Sequence, residues 1–165
     1  MVADEWTLDG IPAIQPPGVC FTNIKYDSQT RAIYSIGGAS CDGGTFYGDQ
    51  VWRYDIRNKF WTQRCAMCTQ TPPPNAAGAP QIGSGLPGLS YHPTRHTFLF
   101  HQTYGAGAPA DWEYNPSTDT YVKLSTIGGI SQTGSIAASY DPVTGVMVVW
   151  SNVGLIWQGV LGAWQ

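Results

Sequence analysis

A chain of 165 residues can bury about two-thirds of its unfolded surface, and one domain covering residues 1–165 is expected. Only 12% of the residues are charged while Gly, Pro and aromatics abound, which argues against amphipathic helices, whose wet faces need Glu, Lys and Arg. A net charge of −3 with eight scattered Lys and Arg leaves no basic footprint for nucleic acid, and the longest apolar run, 145–150, is far short of the roughly 20 residues of a membrane-spanning helix.

In chain order, Asp4-Glu5-Trp6-Thr7-Leu8 reads as an isolated outer strand. The first full unit, about residues 16–64, follows with predicted strands over Phe21 to Tyr26, Ala32 to Gly37, Gln50 to Asp55 and Phe60 to Gln63. Between its second and third strands lies GGASCDGGTFYGD, whose glycines supply the positive-φ conformations that a wandering loop needs. A long connection, Cys65 to Gly88, carries three consecutive prolines, Pro72 to Pro74. The second unit, about 86–125, holds all three histidines, with His96 expected to begin a strand and His101 to end it, on opposite faces by strand alternation. The third unit, about 133–165, contains Val146 to Trp150, a continuous apolar run suited to an inner or middle strand covered on both sides.

The units repeat. Trp52 falls on Trp112, Tyr54 on Tyr114, Asp55 on Asn115 and Trp61 on Tyr121, and the third unit is aligned with Trp157 at the place of Tyr54 and Trp164 at that of Trp61. Upstream, Tyr26-Asp27, Tyr91-His92 and Tyr140-Asp141 each close one apolar strand before a polar turn and a second apolar strand. Four strands per unit predict about three four-stranded antiparallel sheets in an all-β fold. The Gly37-Gly38 pair, followed by Tyr54-Asp55 and, seven residues after the tyrosine, Trp61, resembles the kelch motif. The second unit has Tyr104-Gly105 at the Gly pair and the third only Asn152-Val153-Gly154. That resemblance implies kelch-like β-propeller blades.

The chain has four cysteines, all within its first 68 residues. Cys65 and Cys68 have metal-like spacing, but they sit at a strand end before a Pro-rich loop, so a disulfide or idle thiols is the expectation, with a metal completed by Cys20 and Cys41 as the alternative. Nucleophile-elbow, phosphate-loop, zinc-protease and dinucleotide motifs are missing. The kelch resemblance brings a comparison with copper-radical oxidases, which need a Tyr crosslinked to Cys with two His and a second Tyr; the histidines here, confined to one unit, lack that spacing. No catalytic activity, metal or cofactor is expected.

The recurring aromatics are expected to fill space between sheets, a sugar-stacking surface being the rival. The functional expectation is a scaffold or protein-interaction module that assembles with further blades; the alternative is a carbohydrate-binding propeller. Partner-facing residues are placed in the two long loops, at Cys41, Phe46, Tyr47 and Pro73, and at Trp6 and Trp164, through which two copies could join head to tail.

Overall fold

The computed structural model describes residues 14–16, 23–37, 50–64, 88–102, 110–124, 136–151, 156–160 and 163–164. Among them there is no helix, and the twelve strands form three open antiparallel sheets. The first sheet is a meander of β1 (Asn23–Asp27), β2 (Ala32–Ile36), β3 (Val51–Asp55) and β4 (Phe60–Arg64). The second runs through β5 (Gly88–His92), β6 (Thr97–Gln102), β7 (Ala110–Asn115) and β8 (Thr120–Leu124). The third comprises β9 (Ile136–Asp141), β10 (Val146–Ser151), β11 (Ile156–Val160) and the two-residue β12 (Ala163–Trp164). The expectation of an all-β chain in three antiparallel sheets is met.

One hairpin turn is used five times. Each has four residues between strands, a side-chain acceptor on the last residue of the incoming strand, and a left-handed residue just before the outgoing one. Asp27, Asp55, Asn115 and Asp141 each accept a bond at Oδ1 from the amide two residues on, at 2.9 to 3.0 Å. His92 does the same work with Nδ1, accepting from the Arg95 amide at 3.4 Å. The left-handed position is Arg31, Lys59, His96, Asp119 or Gly145, with φ between 51° and 71°, and four of these five residues carry a Cβ in a region that favours glycine. His96 therefore belongs to the turn. The expectation that it begins a strand opposite His101 is corrected: the strand starts at Thr97.

The register also corrects the alignment of the third unit. Residues directly opposite across strands share a face, and the rows read Tyr26, Ile33, Tyr54, Trp61 in the first sheet and Tyr91, Phe98, Tyr114, Tyr121 in the second. In the third, Tyr140 is followed by Met147, Gly159 and Trp164. Trp164 does hold the position of Trp61, but Gly159 holds that of Tyr54, and Trp157 that of Trp52. The β11–β12 connection has two residues where β3–β4 and β7–β8 have four, so a spacing of seven between tryptophans imitated the repeat without matching it.

Successive sheets meet through their first strands, with β5 against both β1 and β9. The core lies between the first two sheets: Ala32, Tyr34, Ile36 and Val51 from one side meet Leu89, Phe98, Trp112 and Tyr114 from the other. Tyr34 and Phe98 pack tilted, with ring centroids 4.8 Å apart. Burial of side chains of this size stabilises by about 1.5–3 kcal/mol each, so this inter-sheet layer contributes strongly to the cohesion of the first two sheets.

Candidate functional site: an inter-sheet clasp and an open sheet face

The turn residue that ends the first strand of a sheet also reaches the next sheet. Asp27 is buried, and the Tyr91 hydroxyl of β5 donates to its Oδ1 at 2.5 Å. Thr30 Oγ1 donates to Oδ2 and the Gln29 amide to Oδ1. Burial is the largest single influence on this carboxyl and pushes its pKa up, but the bonds from Thr30, Tyr91 and Gln29 together outweigh it and hold it below the ordinary value. Burial, reinforced by the Asp27 carboxylate, raises the Tyr91 hydroxyl well above its usual range. The same hydroxyl stands 3.2 Å from His96 Nδ1.

One step along, the clasp recurs in another form. His92, in the position of Asp27, stacks on Tyr140 of β9, in the position of Tyr91, with centroids 4.2 Å apart and planes 29° apart. Burial, and secondarily the Arg95 charge, lowers the His92 pKa. Beside it Glu113 is buried and held in a fork by Arg95, Nε to Oε1 at 2.8 Å and Nη2 to Oε2 at 2.7 Å, with Thr97 Oγ1 donating at 2.6 Å. A buried carboxylate is tolerated only with such partners.

A cleft of about 210 Å³ opens beside the first clasp, lined by Asp27, Thr30, Arg53, Thr62, Arg64 and Ser117. Its charges are only partly engaged within the protein, Arg64 Nε being buried without a hydrogen bond among the described residues. Arg53 reaches Asp55 at 3.3 Å, and Arg64 reaches the Pro116 carbonyl and stands 3.5 Å from Asp119. Among the described residues no three His, Cys, Asp or Glu side chains converge as metal ligands would.

The first sheet presents a contrasting face. Ile24 is 57% exposed and Tyr26 50%, whereas Leu89, in the register position of Ile24, is 2% exposed. Ile33 and Tyr54 are half-buried where Phe98 and Tyr114 are fully buried. On the far side of the third sheet, Asp141, Val146 and Val148 are half-buried at the positions of the buried Asp27, Ala32 and Tyr34.

Of the residues expected from sequence to face a partner, Trp6, Cys41, Phe46, Tyr47 and Pro73 lie outside the described residues, as do Cys20, Cys65 and Cys68. Trp164 is placed by its backbone on the outermost strand of the third sheet, opposite Gly159. Sequence reasoning read Tyr26-Asp27, Tyr91-His92 and Tyr140-Asp141 as strand ends leading into turns. Their threefold recurrence was the available signal for the clasp. No protein-family model and no curated protein matches the chain.

Proposed function

We propose that this chain is a non-catalytic scaffold of kelch-like propeller blades, and that it works as an interaction module by docking the open face of its first sheet onto another sheet. The observation that carries this reading is the row Tyr26, Ile33, Tyr54, Trp61. It copies, position for position, a row that the second sheet buries against a neighbour. The aromatics on it are set for packing: Tyr54 and Trp61 are tilted 46° at 5.1 Å, and Tyr114 and Tyr121, within the packed second sheet, are tilted 47° at 5.1 Å. That geometry follows from the register the two hairpins share. Contiguous apolar faces mark interaction surfaces in soluble proteins.

Hydroxyl-radical footprinting of the protein, isolated from its source without dissociation, tests the reading. Protection of Tyr26, Tyr54 and Trp61 to the level of Tyr91, Tyr114 and Tyr121 is expected. Fast modification of the first row, with the second row protected, would show a face that docks nothing.

A further inference from the structure

The open face described above has a counterpart on the third sheet of the same fold. The step from the first sheet to the second joins Asp27 to Tyr91, and the step from the second to the third joins His92 to Tyr140. In both, the turn residue of one sheet meets the tyrosine of the following one. Repeating the operation once more from the third sheet calls for a tyrosine to meet Asp141. The one tyrosine of this series left without a turn residue against it among the described residues is Tyr26, half exposed on β1.

Asp141 is prepared as Asp27 is. Its Oδ1 accepts from the Val143 amide at 2.9 Å and its Oδ2 from Thr144 Oγ1 at 2.6 Å, the counterparts of the Gln29 and Thr30 bonds to Asp27. Asp27 takes a third bond, from a tyrosine hydroxyl of the next sheet. Around Asp141, Val146 and Val148 are half-buried and stand where Ala32 and Tyr34 do, while Ile33, half-buried beside Tyr26, stands where Phe98 does. Tyr34 packs on Phe98 at the first junction; Val148 on Ile33 would be the smaller version of the same contact.

Resting on the docking reading above, we propose that the partner is a second copy of this chain, and that its Tyr26 donates to Asp141 of the first copy while Ile24 and Ile33 cover Val146 and Val148. The operation is head to tail, so an interface formed at one end of a copy leaves the same interface available at the other. Two copies supply six sheets, within the four to eight that close a propeller, and both junctions are then satisfied in a closed dimer.

Sedimentation velocity of the full chain across a concentration series, with three variants, tests the inference. Tyr26→Asp sets a carboxylate against Asp141 at a site exposed in the single copy, so folding is undisturbed; dissociation should strengthen by about tenfold or more. Asp141→Asn keeps the turn, because Asn115 caps the equivalent turn with its own Oδ1. Combining Tyr26→Asp with Asp141→Asn removes the like-charge repulsion, so association should recover part of what Tyr26→Asp alone loses. A dimer with this pattern supports the proposal. A chain that stays at 17.9 kDa throughout overturns the second-copy partner, as does a dimer indifferent to Tyr26→Asp. Either result leaves the docking reading to be decided by the footprint of the isolated native assembly.

Discussion

Leu89 and Ile24 occupy the same position of the same repeat, yet one is 2% exposed and the other 57%. The residue types are alike, as are the strand, the turn that follows and the tyrosine two residues on. The difference comes from what packs beyond the strand: β5 has β1 against it, whereas this face of β1 has no strand against it among the described residues. Burial here is set by the neighbouring sheet, as in repeat proteins whose units are stabilised chiefly by nearest-neighbour interfaces. Under the proposed docking, an apolar position left open by that logic is where the next unit belongs.

The largest effect should come from placing a charge at each of the two positions. Leu89→Asp buries an unpaired carboxylate and should cost about 4 kcal/mol or more, abolishing the folded state in urea titrations. Ile24→Asp should change the stability of the single chain by no more than about 0.5 kcal/mol while weakening assembly. Equal damage from both would erase the distinction between the faces.

Next come the two rows. Phe98→Ala should lose about 3–5 kcal/mol. Ile33→Ala, half-buried in the single chain, should lose about 1 kcal/mol there and more in the assembly. A smaller difference separates the tyrosines: Tyr91→Phe removes a hydrogen bond to a charged acceptor, worth about 1.5 kcal/mol, and Tyr26→Phe should leave the melting temperature of the dissociated chain unchanged.

Titration distinguishes the clasps from each other. The folded state holds His92 below its ordinary value of 6.5, first by burial and then by the Arg95 charge. The unfolded chain therefore takes up the proton first. The stability this group contributes is complete above pH 6.5 and is lost as pH falls through the lower folded value. Asp27, also depressed, contributes stability that is present above 3.8 and lost as pH falls through its folded value. Melting temperature against pH should show both declines, and His92→Asn should remove the upper one alone.

The smallest effect concerns the shared turn. Arg31→Gly relieves a left-handed residue at φ 51° and should stabilise by about 0.5 kcal/mol, whereas Gly145→Ala, at φ 71°, should destabilise by about 1 kcal/mol. Thermal unfolding of both variants checks that the open and covered sheets use one turn.

Much of this fold was legible because its local chemistry is repetitive. Four-residue polar turns capped by Asp27, Asp55, Asn115 and Asp141 divide apolar strands, and paired aromatics such as Tyr54 with Trp61 fix the hairpin register. The register of the third unit was misread because Trp157 and Trp164 keep the repeat spacing while the connection between β11 and β12 is two residues shorter. His96 was misread because a left-handed residue other than glycine is uncommon, although it stands at the turn position of Gly145. The clasps were out of reach for another reason: Asp27 and Tyr91 are 64 residues apart, and their pairing depends on how one sheet sits on the next. The Gly-rich and Pro-rich loops, by contrast, stand out by composition. The faces that distinguish an end sheet from a middle sheet have the same composition.

An experimental structure of the assembled protein tests the central claim most directly. The account expects Ile24 and Tyr26 to be covered as fully as Leu89 and Tyr91, with the Tyr26 hydroxyl within hydrogen-bonding distance of Asp141 in the neighbouring copy. An assembly in which β1 still turns Ile24 and Tyr26 to solvent would contradict it.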